Sequence, residues 1–344
     1  MASAPPESII LSSFAGVKNT VGEERLATGE LSAAVNVDID DAGQLRRRRG
    51  YIQKDGANYH SLSNQAGKCF VVKDGTLGTL DFGYNFAPLT FVGDDPLDYT
   101  SVGSTVYFSS RDTSGKIVLG EPEAWGIDDG GRWVSPVMRP TDTLGAISGR
   151  LLEKPPRASL IESYRGRIYL ADGNVLWATE LYLYDLIDKS KNFYQLDHAI
   201  TMIAAAADGL YVGTEQQLLF LQGTFSKGLS MDVVMETPVV RGSVVQVPYS
   251  KAHPQARTSP VPEGYGPMFM TGTGICLGLP SGQVFNLTQD RVVFPGAVSA
   301  AALYREDQGA TSYVAVADSA GGPSANARIG DYVDAEIVRA SQRG

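Results

Sequence analysis

A chain of 344 residues with 43% hydrophobic and 19% charged residues is long enough to bury a large core, which excludes a disordered protein and a coiled coil. Its 38 glycines and 18 prolines indicate many turns and favour β structure. The formal net charge of -9 argues against a protein that grips DNA phosphates over most of its surface.

The N-terminus and the two cysteines indicate the cellular setting. Residues 1–6 lack the basic and apolar parts of a signal peptide, and no window approaches the roughly 18 apolar residues of a membrane helix. Cys69 and Cys276 each lack a Cys-x-x-Cys partner, so we expect two buried thiols, with a single bridge between them as the open alternative. The sequence therefore predicts no membrane span and a cytoplasm-like environment.

The first 34 residues are small and polar and contain no hairpin signal. They predict an extended N-terminal arm, over residues 1–34, that lies across another surface. Residues 35–40 then alternate strictly between apolar and polar, residues 41–43 predict a turn, and residues 44–51 return as a second strand. This pattern predicts a hairpin directly after the arm.

The return strand of this hairpin carries the strongest charge run, which consists of Arg46, Arg47, Arg48 and Arg49. Side chains alternate across a strand, so Arg46 and Arg48 share one face and the other two share the opposite face. Arginines on both faces are typical of a subunit interface with acidic partners, or of phosphate contact. A strand that is merely solvated by its charges is the alternative.

The rest of the chain repeats a pattern in which a glycine leads a strand with a buried aromatic residue. The intervals between these aromatic residues centre on the ~40 to 50 residues of one four-stranded propeller blade, and the intervals after Tyr107 and Tyr211 are long enough for insertions. The six aromatic residues are Phe70, Tyr107, Tyr169, Tyr211, Phe269 and Tyr313.

Short turns follow several of these strands and join them to a second apolar strand. Asp74-Gly75 and Ser281-Gly282 are typical of tight hairpins because these residues tolerate positive φ. Strands without intervening amphipathic helices exclude a parallel α/β fold. We therefore predict an all-β chain: a β-propeller of about six blades over residues 35–344, preceded by the arm. Residues 35–39 and 332–338 are expected to close the propeller by sharing one sheet.

The sequence contains only weak signals of catalytic chemistry. His60, His198 and His253 lie in no nucleophile motif and have no metal-ligand spacing. The acidic groups at Asp94-Asp95 with Asp98, at Asp128-Asp129 and at Asp40-Asp41 read most simply as solvated turns. The sequence thus predicts no catalytic, cofactor-binding or metal-ligating residue, no cofactor and no enzyme.

Two rival functions remain open at this stage. Exposed aromatic residues such as Trp125, Trp133 and Trp177 would indicate a lectin-like propeller that recognises host glycans. The acidic groups at the blade ends would indicate a propeller glycosidase, because glycosidases use paired carboxylates.

The stretch Phe14-Ala-Gly-Val-Lys-Asn19, followed by residues 24–26, 29–40 and 43–51, resembles the opening of β-propeller virion proteins from the tails of short-tailed bacteriophages. In that group an arm of the form Gly, Asn, then Ala-x-Asn-x-Asp, then Gly-x-Leu-x-x-Arg-x-Gly leads into a propeller. The motif-bearing match covers residues 14–51, and the remainder agrees in its blade-like rhythm.

This resemblance implies a subunit of a tail nozzle or tail hub. Such a subunit assembles with copies of itself in a ring, usually a hexamer, contacts the adaptor near the portal and the tail fibres, and surrounds DNA that passes on ejection without specific binding. The implied location is the virion tail, with the host cytoplasm during assembly. The interface candidates are Phe14, Asn19 and the arginines Arg46 to Arg49.

Overall fold

The computed structural model describes residues 13–34, 37–39, 43–47, 52–125, 152–224, 228–253, 260–307, 310–319 and 334–338. The chain divides into two compact units. The first unit combines Met1–Ile52, Val240–Leu279 and Val284–Gly344, and the second unit combines Gln53–Val239 with Pro280–Gln283.

The first unit begins with two small sheets. Strand β1 (Gly16–Val17) pairs in parallel with β2 (Glu30–Leu31), and a 3-10 turn (Glu23–Arg25) lies between them. Strand β3 (Val37–Ile39) pairs antiparallel with β4 (Leu45–Arg47). The predicted hairpin after the arm is therefore confirmed over its described residues.

The second unit contains four consecutive four-stranded antiparallel sheets, blades 1 to 4. Blade 1 consists of β5 (Tyr59–Gln65), β6 (Lys68–Lys73), β7 (Thr76–Leu80) and β8 (Phe86–Phe91), and blade 2 of β9 (Asp98–Val102), β10 (Thr105–Ser109), β11 (Ser114–Val118) and β12 (Glu121–Ala124). A short β13 (Leu152–Glu153) precedes blade 3, which consists of β14 (Leu160–Tyr164), β15 (Arg167–Asp172), β16 (Val175–Ala178) and β18 (Phe193–Gln195), while β17 (Ile187–Asp188) pairs with β13. Blade 4 consists of β19 (Ile200–Ala205), β20 (Leu210–Thr214), β21 (Leu218–Thr224) and β22 (Gly228–Met235).

The first unit holds the fifth four-stranded sheet and one further sheet. Blade 5 consists of β23 (Val245–Pro248), β24 (Tyr265–Thr271), β25 (Gly274–Gly278) and β26 (Val284–Asn286), and a one-turn helix α1 (Tyr249–Ala252) follows β23. The last sheet has three strands: β27 (Ala297–Asp307), β28 (Ala310–Ser319) and β29 (Asp334–Val338).

The described chain is all-β with almost no helix, as predicted, and has five propeller-type blades. The prediction of about six blades is wrong by one. Tyr313, the sixth expected blade centre, lies in β28, whose sheet has three strands and is dominated by a long β27–β28 hairpin. The glycine-aromatic pattern marks a buried second strand, and it does not report how many strands surround that strand.

The six predicted aromatic positions share one structural role. Each lies on the second strand of its sheet, and each is buried. Their side chains pack between sheets because the second strand has neighbours on both sides and covered faces. The residues are Phe70, Tyr107, Tyr169, Tyr211, Phe269 and Tyr313.

The Asp74-Gly75 turn follows the predicted chemistry, whereas Ser281-Gly282 lies in a longer connection between β25 and β26, and the predicted closure does not form. Asp74 and Gly75 both have positive φ, 47° and 75°, as a two-residue hairpin requires. Among the described residues, β3 pairs with β4 alone, whereas β29 pairs with β28. The prediction that these two segments share one sheet is therefore wrong. Strands β3 and β29 each pair with a strand that is close to them in sequence.

Within the second unit, the first strands of successive blades lie side by side, β5 beside β9, β9 beside β14, and β14 beside β19. Apolar clusters fill the space between blade faces. One cluster joins blades 1 and 2 around Phe70 and Phe108, and another joins blades 3 and 4 around Tyr169 and Leu219. Burial of these faces is the main stabilising contribution.

A buried ion pair also joins blades 2 and 3. Lys116 on β11 donates to an oxygen of Asp185 at 2.9 Å, and the two side chains are 5% and 7% exposed. The other Asp185 oxygen is buried and has no hydrogen-bond partner among the described residues. Lys116 is therefore the group that most directly stabilises the buried negative charge of Asp185.

We expect Lys116→Met to lower the free energy of unfolding by about 3 to 5 kcal/mol, because it leaves the Asp185 charge buried without its partner. Urea denaturation followed by fluorescence measures this loss. The double variant Lys116→Met with Asp185→Leu removes both charges and should recover most of the stability. Equal losses in the single and double variants would contradict this account.

Candidate functional site

The described part of the arm is held by the loop between β26 and β27 of the same unit. The Asn19 side-chain amide donates to the Val293 carbonyl and accepts from the Val293 N–H, both at 2.9 Å. Thr20 donates to the Asp290 carbonyl at 2.8 Å, and Arg291 donates to the Ala15 carbonyl at 2.6 Å. The arm is therefore anchored within its own chain over residues 15–20.

The interface candidates of the arm occupy defined positions. Asn19 is exposed, but its side-chain amide makes two hydrogen bonds to the Val293 backbone in the same chain. These bonds resemble the pair of hydrogen bonds between two antiparallel strands. Phe14 is half-buried, and its N–H donates to the Gly43 carbonyl at 2.7 Å, which joins the arm to the β3–β4 hairpin. Arm and hairpin thus form one continuous module.

The hairpin presents its basic strand to solvent. Leu45, Arg46 and Arg47 are all exposed, and their backbones pair with residues 37–39 of β3. Arg46 and Arg47 point to opposite faces because they are neighbours in a strand. Arg48 and Arg49 lie outside the described residues.

A charge pair within the arm supports the pairing of β1 and β2. Lys18 contacts the Glu30 carboxylate at 3.3 Å, and the Ala27 N–H donates to the other Glu30 oxygen at 3.0 Å. The Ala27 hydrogen bond, followed by the Lys18 contact, lowers the pKa of Glu30. The arm is therefore held by directed bonds, with little apolar burial.

A second polar site lies on the inner strands of the second unit. Asp98, at the start of β9, accepts from the Tyr99 N–H with one oxygen and from the Ile161 N–H of β14 with the other, at 2.9 and 2.8 Å. Thr100 of β9 accepts from the Ser163 N–H at 3.0 Å. These side chains join blade 2 to blade 3 where the blades share no strand ladder.

Glu162 continues this network. One of its carboxyl oxygens accepts from the Ser163 N–H at 2.9 Å, and the Ala205 N–H of β19 also bonds the carboxyl group. Burial raises the pKa of Glu162 to about 8, and the nearby Asp98 charge adds to the rise. Perturbed carboxyl groups mark functional sites in many enzymes. Here backbone N–H groups of β14 and β19 bond the carboxyl group, so the arrangement holds three blades together.

The other acidic groups of the sequence do not join this pair. Asp95 accepts from the Arg111 N–H at 2.8 Å in a surface turn. Asp128-Asp129 and Asp40-Asp41 lie outside the described residues. The sequence singled out Asp98 but missed Glu162, whose only sequence signal is a carboxylate inside the apolar stretch of residues 160–164.

The histidines and cysteines are placed separately. His198 is exposed, His253 packs edge-on against Phe285, and His60 contacts the Ser61 hydroxyl at 2.8 Å. Within the described part of the chain no group of three or more His, Cys, Asp or Glu side chains is placed to hold a metal ion. Cys69 and Cys276 are free thiols, and burial raises the pKa of Cys276 to about 11. The open alternative of a bridge is thus not formed.

The aromatic residues expected at the surface are not where the sequence suggested. Trp125 is buried and donates to the Tyr184 carbonyl at 2.9 Å, so its predicted exposure is wrong. Trp177 is half-buried against Phe193, and Trp133 lies outside the described residues. Trp125 and Trp177 contribute to packing because their large rings fill space between blades 2 and 3.

A different turn presents aromatic rings to solvent. Phe82 is fully exposed and Tyr84 is 66% exposed, between β7 and β8. Asp81 fixes the turn, because one of its oxygens accepts from the N–H groups of Gly83 and Asn85 at 2.8 and 2.9 Å. These hydrogen bonds, led by those from Asn85, lower the pKa of Asp81.

Comparisons with known proteins return only solved structures of low sequence identity and low TM-score. No model of a known protein family and no curated protein sequence matches the chain. Among solved structures, it is similar to the WD40 domain of Neurospora crassa Pan2, with 13% identity, a TM-score of 0.40 and coverage of 73% of this chain and 69% of that chain. It is also similar to the N-terminal domain of Nup159, with 8% identity, a TM-score of 0.45 and coverage of 74% and 72%. A gluconolactonase of Xanthomonas campestris has 10% identity, a TM-score of 0.41 and coverage of 74% and 82%.

Among the described residues, no helix is long and apolar enough to cross a membrane.

The Glu162 carboxyl makes stability depend on pH. Its folded pKa of about 8 exceeds the ordinary value of 4.5, so its contribution is complete below pH 4.5 and is lost as the pH rises through 8. We expect Glu162→Gln to match the unmodified protein near pH 4.5 and to be about 5 kcal/mol more stable at pH 9. Urea denaturation across this pH range measures the difference. Parallel curves for the two proteins would contradict the assignment.

Proposed function

We propose that this chain is a structural subunit of the tail of a short-tailed bacteriophage, where copies of it form a nozzle or hub ring around the path of the DNA. The observation that carries the proposal is the arm-and-hairpin module: an arm anchored at residues 15–20, joined through Phe14 to a hairpin with an exposed basic strand. The sequence of this module, over residues 14–51, is the part that resembles such virion proteins.

The physics of the hairpin supports a role in assembly. A two-stranded sheet of three-residue strands is at best marginally stable alone in water. Exposed Leu45, Arg46 and Arg47 give it an apolar contact and two guanidinium groups suited to carboxylates. A neighbouring copy of an acidic chain, with a net charge of -9, offers such carboxylates.

The charge also suits a passage for DNA without specific binding. A net negative chain repels phosphates, so DNA sliding past it is not retained. Catalytic turnover is not part of this proposal. The adaptor near the portal and the tail fibres are the proposed further partners, and the tail of the virion is the proposed location.

Binding of host glycans is a second candidate function, favoured by the exposed rings of Phe82 and Tyr84. Aromatic faces stack on sugar rings, and the Asp81 hydrogen bonds hold both rings in one turn. A glycan array separates the candidates: specific binding that is lost in Phe82→Ser with Tyr84→Ser supports this function. An array without any bound glycan removes it.

The test of the ring is the mass of the purified chain in solution, measured by mass photometry and imaged by electron cryomicroscopy. We expect closed rings of the unmodified chain. Arg46→Gln with Arg47→Gln should reduce ring formation about tenfold while the melting temperature stays unchanged, since exposed charges contribute little within one chain.

The matched control replaces Arg111 and Arg157, two exposed arginines of the second unit, with glutamine. It should leave the rings intact. A chain that stays monomeric at all concentrations would contradict the proposed function. Intact rings with weaker, salt-dependent DNA retention in the Arg46 and Arg47 variant would instead assign these arginines to phosphate contact.

A further inference from the structure

A cleft of about 470 Å³ opens between blades 1 and 2 of the second unit. Phe70, Val106 and Ile117 form its floor, and these apolar side chains are almost wholly covered by their neighbours. Leu119 and Lys68 stand at its mouth and are exposed. The cleft thus combines an apolar floor, an apolar edge and one cation.

Leu119 is held at the mouth at a conformational cost. Its side chain is 86% exposed, and its φ of 52° lies in the left-handed region that large L-residues rarely adopt. Blades 1 and 3 repeat this feature at the same connection, from third strand to fourth, with exposed Tyr84 and Tyr182 at φ of 64° and 59°. Strain that recurs where apolar side chains are exposed is typical of a contact surface.

Lys68 gives the cleft its charge preference. Its ammonium lies beside Gly120 across the mouth, and no carboxylate of the described residues forms an ion pair with it. A ligand therefore binds this cleft more strongly when the ligand itself carries apolar side chains and a single carboxylate near them.

We propose that this cleft binds residues 5–11 of a second copy of the chain, with Ile9 and Ile10 on the apolar floor and Glu7 at Lys68. Glu7 is the one charged side chain among the first twelve residues, and three consecutive apolar residues, 9–11, follow it closely. The sequence of this segment therefore matches the cleft in both polarity and charge count. The proposal rests on the proposed ring, because it names the contact between two copies.

The length of the segment sets how near the cleft of the second copy must lie. Residue 12 alone separates the docked residues from Ser13, where the described chain begins, and in a fully extended chain Glu7 lies up to ~20 Å from Ser13. Phe14 fixes the base of the segment through the Gly43 carbonyl. Pro5 and Pro6 restrict the unbound chain, which lowers the entropy lost on binding.

Peptide binding tests the cleft directly. The acceptor is the chain without residues 1–12, which keeps every described contact of the arm. The probe is a fluorescent peptide of residues 2–12, and its anisotropy is titrated with the acceptor. We expect saturable binding that weakens at least tenfold in Lys68→Glu, in Leu119→Ser and in a peptide with Ile9→Ser and Ile10→Ser. Binding that is absent, or unchanged in all three, would overturn the proposal.

A charge exchange separates the ion pair from a general charge effect. The peptide with Glu7→Lys should bind the unmodified acceptor poorly and the Lys68→Glu acceptor well. Lys191→Glu changes an exposed lysine elsewhere in the second unit and is the matched control, which should bind like the unmodified acceptor. Equal weakening by Lys68→Glu and Lys191→Glu would contradict a specific pair.

Mixing two variants tests whether the contact joins separate copies. The full chain with Lys68→Glu is a donor only, and the tagged chain without residues 1–12 is an acceptor only. We expect the two to copurify, while each alone forms no ring. If the shortened chain still forms the rings of the full chain, this inference fails and the proposed function stands. If the full chain forms no rings, the proposed function fails. Peptide binding does not depend on rings, so it tests the cleft separately.

Discussion

Successive blades of the second unit share no strand ladder, so apart from single backbone bonds such as that from the Ile200 N–H to the Gly173 carbonyl, they are joined by side chains. In the second unit this constraint is met in two layers. Aromatic residues of the second strands and their apolar neighbours fill the space between faces, as around Phe70 and Tyr169. Nearer the inner edge, Asp98, Thr100 and Glu162 accept backbone N–H groups that the open edges of the first strands would otherwise leave unsatisfied.

The polar layer explains why these carboxyl groups are poor candidates for catalysis. A general acid or nucleophile needs an oxygen that is open to substrate. Both oxygens of Asp98 accept N–H groups, and Glu162 is bonded from two strands. The raised pKa of Glu162 then reflects the cost of burying an acid as a structural link. Function is expected at the surfaces, where the hairpin, the cleft and the exposed turns lie.

The sequence predicts contacts between residues that are close in the chain better than contacts between residues that are far apart. The pattern of a glycine, an aromatic residue and a tight turn such as Asp74-Gly75 lies within a short stretch of sequence. Every aromatic position predicted from this pattern does lie on a second strand. The blade count depends on whether a fourth strand returns to the sheet, which no local pattern near Tyr313 records. Glu162 was missed because Asp98, its charge partner, belongs to the previous blade. The lone carboxylate in an apolar strand was the available signal.

The arm shows the same limit, and it also shows what the proposed ring would have to supply. Asn19 and Val293 are far apart in sequence, so the anchor was invisible before the structure, although the polar composition of the arm was plain. Residues 15–20 are held mainly by hydrogen bonds, together with the Lys18–Glu30 ion pair, and such hydrogen bonds each contribute about 1 kcal/mol. This is enough to fix the base of the arm, and the sequence before it contains the three consecutive apolar residues 9–11. Burial of such residues would contribute more than the anchor does, so in the proposed ring the site that binds them would govern how strongly the arm holds two copies together.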